Sequence, residues 1–307
     1  MNKKEFEKTF YKERRQAFID SMEQQYSQWE ILRVDRLEQE KQFEKFTGHI
    51  DIIEMHIPYT KYGYLFDLMG RTLLMDTYNP IKKKKMLICA GDSMNLDMFS
   101  AFYQRSTDRS KPSVEWRDLI KVLRRAEQIY DYIVFMVNNH DNRVWKMLMR
   151  NIIAKEVFDE IMHWMTSYHD AFNHEKFTKI ITVPCSRFSE QGVIFQIGDL
   201  IISHFENNSI VPGVVPRDVI KYLVPRIEKD WNIVIQAHTH AQSKIANDRK
   251  ICIECGALCG TLDYWRKGSM KGKGKLTSLG YAVCDMENGV ADPNKTDFVF
   301  CEWEGYL

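Results

Sequence analysis

The tripeptide His238-Thr239-His240 directly follows the apolar run Ile233-Val234-Ile235. Two imidazoles at i and i+2 are too close for a helix-face metal pair, and on an extended strand they leave on opposite faces. Both reach metal only where the strand breaks into a loop and the backbone turns around the ions. Similar residues end other apolar runs. Glu54-Met55-His56 follows Ile52-Ile53, Gly91-Asp92 follows Met86-Leu87-Ile88-Cys89, and Asn139-His140-Asp141 follows Ile133-Val134-Phe135-Met136-Val137, while His204 follows Leu200-Ile201-Ile202. Seven candidate ligands (Glu54, His56, Asp92, one of Asn139-His140-Asp141, His204, His238 and His240) exceed what one tetrahedral ion takes, but a carboxylate can bridge two ions. Mixed carboxylate, imidazole and amide donors suit manganese, iron or zinc, with manganese favoured, and look unlike all-oxygen calcium or all-sulfur zinc sites. Two such ions about 3.5–4 Å apart can clamp a phosphoryl group and deprotonate a bridging water for in-line attack.

The elements that must position these groups can be read from the apolar pattern. Strands are expected at Ile52-Ile53, 86–90, 133–137, 180–183, 193–197, 200–203, from Ile233, and at 251–254, 280–284 and 298–303. Gly198-Asp199 signals a hairpin, and Asn288-Gly289 a turn. Helices are expected over 64–78, 113–130, 144–169 and 216–229. Helix–strand alternation followed by hairpins predicts an α/β sandwich of mixed sheets. Residues 1–48, dense in charge and with Phe6, Phe10, Phe18, Met22 and Tyr26 at helical spacing, form a helical extension. That extension is either packed on the main domain (49–307) or an arm for oligomerisation or a partner.

Composition narrows the class. Apolar residues make up 44% of the 307, enough for a large core, and a net charge of +1 gives no global attraction to nucleic acid or acidic membranes. There is no apolar run of membrane-spanning length, and the first residues are charged rather than signal-like, so a soluble, cytoplasmic chain with no membrane partner is expected. Seven cysteines, an odd number, argue against a disulfide framework. Cys252, Cys255 and Cys259 read as buried core thiols rather than a zinc site, because no second C-x-x-C follows.

The order E-x-H, G-D, N-H-D, H and H-x-H resembles the calcineurin-like metallophosphoesterases, whose motifs run D-x-H, G-D, G-N-H-(D/E), H and G-H-x-H. The resemblance covers about residues 50 to 290. It implies a four-layered α/β/β/α sandwich with the metal site at strand ends. One ion would be held by Glu54, His56, Asp92 and His240, and the other by Asp92, Asn139, His204 and His238, with Asp92 bridging. A hydroxide between the ions would be the nucleophile, and His140 would face substrate, stabilising the transition state or protonating the leaving oxygen, oriented by Asp141 or Asp97.

Glu54 stands where the family has Asp, and its extra methylene lengthens the reach by about 1.5 Å. The first ion would then be weaker, shifted or of another kind. Asp51 is the alternative ligand, although D-x-x-x-x-H is the wrong spacing. Asn138 and Ala237 occupy positions where the family usually has Gly. The expected activity is phosphodiester hydrolysis, with a nuclease as one form. The alternatives are a phosphomonoesterase and a scaffold that keeps the fold and metal with weakened chemistry. Arg143, Lys271 and Lys273 are candidate substrate contacts. The last two lie in a Gly- and Lys-rich loop after Tyr264-Trp265 that could track a nucleic-acid backbone. The runs around Asp92 and after His240 are similar to those of phosphoesterases from phage and bacterial genomes.

Overall fold

The computed structural model describes residues 38, 40–78, 83–97, 111–138, 140, 168–183, 193–205, 213–223, 230–247, 250–260 and 277–303. Residues 1–37 of the helical extension expected over 1–48, residues 144–167 of the helix expected over 144–169, and the basic loop at 266–275 lie outside these residues. The chain divides into two units, Met1–Lys41 and Gln42–Leu307, and the fold below is that of the second.

Two mixed sheets form it. The first has seven strands in the order β11-β10-β1-β2-β3-β4, with β12 also paired to β10. Its central strands β1 (Gly48–Ile53), β2 (Lys84–Cys89), β3 (Tyr132–Met136) and β4 (Ile180–Val183) run parallel. The long β10 (Ser278–Glu287) lies antiparallel to β1, and the short β11 (Val290–Ala291) and β12 (Asp297–Trp303) complete the sheet. The second sheet has the order β5-β6-β7-β9-β8. Here β6 (Leu200–His204), β7 (Ile233–Gln236) and β9 (Lys250–Cys255) are parallel, flanked by antiparallel β5 (Val193–Ile197) and β8 (Gln242–Asn247).

Alternation along each strand assigns the layers, because successive side chains face opposite ways. Ile50, Ile52, Met86, Ile88, Val134 and Met136 of the first sheet pack with Leu200, Ile202, Ile233, Ile235 and Ile253 of the second in a core between the sheets. The intervening Ile53, Leu87, Cys89, Ile133 and Phe135 face outward. They pack beneath α1 (Tyr62–Tyr78), α2 (Pro112–Glu127) and α3 (Tyr168–His174). On the far side Ile201, Val234 and Cys252 pack against Val215 and Val219, from α4 (Val214–Asp218) and the π-helical turn that continues it. The result is the expected four-layered α/β/β/α sandwich. Among the described residues no helix is long and apolar enough to cross a membrane.

Most strands fall where the apolar runs predict them, and the Gly198-Asp199 hairpin joins β5 to β6 with Ile197 opposite Leu200. The strand β8, Gln-Ser-Lys-Ile-Ala-Asn, is absent from the sequence expectation. It is a polar edge strand held by its ladder to β9, so it has no apolar alternation to reveal it. The helix expected over 216–229 begins two residues earlier and turns π-helical at Val219; residues 224–229 lie outside the described part.

Candidate metal centre

The alternation that builds the inner core, continued by two residues, carries polar groups to the carboxyl ends of the parallel strands. Ile50 and Ile52 lead to Glu54, Leu200 and Ile202 to His204, and Val134 and Met136 to Asn138. Ligand sites in α/β sheets collect at such carboxyl ends. The segment after β1 stays zipped to the segment after β2. Ala90 N–H donates to Ile53 O (2.8 Å), His56 N–H to Asp92 O (2.7 Å) and Ile57 N–H to Ser93 O (3.0 Å). Glu115 of α2 accepts the N–H of Leu96 at 2.8 Å and anchors the same loop from the helical side. In the second sheet Ser203 Oγ donates to Gln236 Oε1, joining β6 and β7 just before His204 and His238. Gly91 (φ 141°) lets the chain pass under the Asn138 amide and the His204 ring, both of which a Cβ there would strike.

Backbone strain concentrates at this place. Of seven described non-glycine residues with positive φ, four are His56, Asp92, His238 and His240. Each such conformation costs about 1–3 kcal/mol and persists only where its surroundings impose it.

Three donors form a near-regular triangle. Glu54 Oε1 lies 3.2 Å from His56 Nε2 and 3.1 Å from His240 Nε2, and the two nitrogens are 2.8 Å apart. Glu54 Oε2 accepts the N–H of His238 at 2.8 Å. The longer side chain therefore reaches the histidines and ties the two sheets together. Asp51, the alternative ligand, does not come to this place. It lies on the outward face of β1, where Thr72 Oγ1 and Tyr130 OH donate to it at 2.6 and 2.7 Å.

Asp92 stands between two groups, with Oδ2 3.6 Å from His56 Nε2 and 3.5 Å from His204 Nε2. Asp92, His204 and His238 bring one donor each within 4.8 Å of one another, as do His56, Asp92 and His140. The rings of His204 and His238 meet edge to face, with centroids 4.8 Å apart. His140, expected to face substrate rather than metal, is 2% exposed, and its Nε2 lies 3.4 Å from Asp92 Oδ2. Asp97, one candidate to orient it, accepts the Tyr59 hydroxyl at 2.9 Å. Asn139, Asp141, Arg143, Lys271 and Lys273 lie outside the described residues.

Electrostatics follow from burial. Burial opposes charge on the Glu54 carboxyl, but His240, His204 and His56 outweigh it and hold the group well below the usual carboxylate range. Burial likewise opposes charge on Asp92, and His140, His204 and His56 hold it low. His204 is disfavoured as a cation by burial, yet Asp92 and Glu54 push it up to about 10. Burial, and then His204, push His238 down to about 3, so it stays neutral. Two buried carboxylates thus need positive charge beside them, which the imidazoles supply as cations or a bound metal ion would supply in place of their protons.

The donors fit divalent metal. Among the described residues, both ring nitrogens of His238 are buried without a hydrogen-bond partner, and so are both of His204, whose Nε2 has only the carboxylates at 3.5 Å and beyond. Buried imidazole nitrogens are seldom left so. The Glu54–His56–His240 spacings match donors sharing an ion at bonds of about 2.1 Å.

Two further residues escaped the sequence reading. Asn95 Oδ1 lies 3.2 Å from His56 Nδ1, and Cys259 Sγ lies 3.7 Å from His240 Nδ1. Cys252 and Cys255 are core thiols as expected, but Cys259 reaches the site, seven residues beyond the strand face that suggested packing.

No protein-family model matches the chain, and no curated protein matches it. Solved structures do. An archaeal phosphodiesterase shares 13% identity over 82% of this chain and 98% of its own, with a TM-score of 0.36. Vps29 from Entamoeba histolytica, crystallised with zinc, shares 10% over 82% and 98%, with a TM-score of 0.36. A hypothetical protein from Pyrococcus horikoshii shares 9% over 83% and 88%, with a TM-score of 0.45. Likeness this distant concerns the fold; the chemistry has to be read from the residues above.

Proposed function

We propose that this chain is a divalent-metal-dependent phosphoester hydrolase acting on phosphodiesters, with nucleic acid as one substrate class. The observation that carries the proposal is the strained strand-end cluster, in which buried carboxylates converge with imidazoles and the ring nitrogens of His204 and His238 have no hydrogen-bond partner among the described residues. Glu54, His56 and His240 would hold one ion, and His204, His238 and Asn139 the other, with Asp92 between them. Manganese, iron or zinc fits these donors, and manganese is favoured. Bound there, the ions would supply Lewis acidity toward a phosphoryl oxygen and lower the pKa of water.

The protein's own contribution is positioning and exclusion of water. Asn95 fixes the His56 ring through Nδ1, leaving Nε2 facing the cluster. His140 is the proton carrier: its Nε2, now against Asp92, would swing toward the leaving oxygen and donate there. Arg143, Lys271 and Lys273 are proposed contacts to substrate phosphates. A cytoplasmic location, a role for residues 1–48 in oligomerisation or partner binding, and kinship to phage and bacterial enzymes are parts of the same proposal.

A second reading has one observation in its favour. Glu54, His56, Asp92, His140, His204 and His240 are all under 5% exposed, which suits a scaffold that holds metal more readily than it admits substrate. An assay separates the two readings. With manganese present, the native chain should cleave a generic phosphodiester faster than a phosphomonoester. His140→Ala should abolish cleavage while metal content stays unchanged. Two bound ions without turnover of either ester would establish the scaffold and overturn the enzyme.

A further inference from the structure

The two nitrogens of the His240 ring keep different company. Nε2 faces Glu54 and His56 at 3.1 and 2.8 Å, whereas Nδ1 faces the sulfur of Cys259 at 3.7 Å. Cys259 is 4% exposed, and its segment hangs on the backbone that carries Glu54 and His56. Leu258 N–H donates to Glu54 O at 2.8 Å, Lys61 N–H to Leu258 O at 2.7 Å, and Gly260 N–H to Tyr59 O at 3.2 Å, with Thr60 and Cys259 forming a bridge. Thiol and carboxylate are thus fixed to one frame on two sides of the same imidazole.

We propose that Cys259 is a positioning residue for His240, its sulfur accepting the Nδ1 proton so that the Nε2 lone pair faces the ion. The inference rests on the metal-binding reading of the site. A histidine that ligates through one nitrogen must hold its proton on the other, and the group accepting that proton sets the ring's tautomer, angle and basicity. His56 has an amide oxygen for this purpose, at Asn95. His240 has a sulfur, a softer and weaker acceptor. The half of the site that contains Glu54 is therefore also the half tuned by a thiol. The sulfur lies against the nitrogen that does not face Glu54, and because it also stands within 4.8 Å of a ring nitrogen of His56 and of His240, direct ligation is the outcome that the test sets against this role.

The test is calorimetric titration of the full-length chain with manganese and with cobalt, comparing native, Cys259→Ala, Cys259→Ser and Cys284→Ala proteins. Cys284 is a buried thiol bonded to Thr296, away from the cluster, and serves as the control. Cys259→Ala should weaken one of two ions by roughly 10–100-fold and leave the other within about twofold. Cys259→Ser should recover part of the loss, and Cys284→Ala should bind like the native chain. The cobalt spectrum of the native protein should lack a sulfur-to-metal charge-transfer band. Unchanged affinity in Cys259→Ala, or a Ser variant as weak as Ala, overturns the positioning role. A charge-transfer band that disappears in Cys259→Ala overturns it differently, by making the sulfur a ligand. A native chain that binds neither metal defeats the metal reading itself, which the other outcomes leave standing.

Discussion

Among the described residues, two clusters of acid and imidazole differ in kind. One is the strand-end group of Glu54, His56, Asp92, His204, His238 and His240. The other lies on β1 and β10, where His49 Nδ1 meets Asp285 at 2.7 Å and Nε2 meets Asp51 at 3.1 Å, with Lys83 on Asp285 at 3.2 Å. In the second cluster both imidazole nitrogens are bonded and Asp51 takes two further donors, Thr72 and Tyr130. None of its residues has positive φ. In the first cluster four backbones are strained, and among the described residues the rings of His204 and His238 have no hydrogen-bond partner. A buried acid–histidine pair is therefore not in itself a functional site. Unsatisfied donors held in place by strained backbone make the difference, because strain unrelieved by hydrogen bonding has to be maintained for some other purpose.

The largest effect should separate the clusters by activity. Asp92→Ala should lower diester hydrolysis on the order of 10³-fold, because it removes the carboxylate common to both groups of histidines. His49→Gln should leave turnover per folded molecule unchanged. Equal losses in both variants, measured as kcat on purified folded protein, would erase the distinction.

Stability should respond the opposite way. His49→Gln removes a cation shared by two carboxylates, one fully buried, and should cost about 3–5 kcal/mol in denaturant unfolding. Its pH dependence has a definite sign. Burial opposes charge on His49, but Asp285 and Asp51 push it up to about 9, above its ordinary 6.5. Its contribution is therefore full below about pH 6.5 and is lost as pH rises through 9. Asp285, held low chiefly by the His49 hydrogen bond, sets the acid limit, since stability falls as it is protonated. Native and His49→Gln unfolding curves should converge above about pH 9. A constant gap from pH 6 to 10 would remove the imidazolium from the account.

The smallest effect sharpens the view of the strand-end cluster. Gly91→Ala places a methyl against the Asn138 amide and the His204 ring, and should cost about 1–3 kcal/mol of stability. Affinity should fall for the ion at Asp92, His204 and His238 more than for the ion at Glu54 and His240. Calorimetry that finds both affected equally would mean that Gly91 supports the whole site rather than one half.

The sequence makes one cluster visible and conceals the other for a physical reason. Glu54, Asp92 and His204 continue the inward alternation of their strands and His238 follows the same kind of apolar run, so their convergence at the strand ends can be read without a structure, although His238 is out of phase and is turned by its positive φ. His49 and Asp285 are 236 positions apart and become neighbours only because β10 pairs antiparallel with β1. Asp51 sits between isoleucines and is a plausible ligand until the outward face of β1 is known. Cys259 is similar, because its role depends on a loop bridged to Thr60 rather than on the strand before it. Polar β8 escaped for want of alternation. Local apolar pattern is thus legible, while the partners of individual polar atoms depend on long-range register.

The central claim is that the strand-end cluster is a two-ion site, and ion content tests it most directly. After equilibrium dialysis against manganese, elemental analysis of the native chain should find two ions per molecule, with two retained in His49→Gln and fewer than one in Asp92→Ala. No manganese above background in the native chain, or an Asp92→Ala protein that binds as the native one does, would contradict the account.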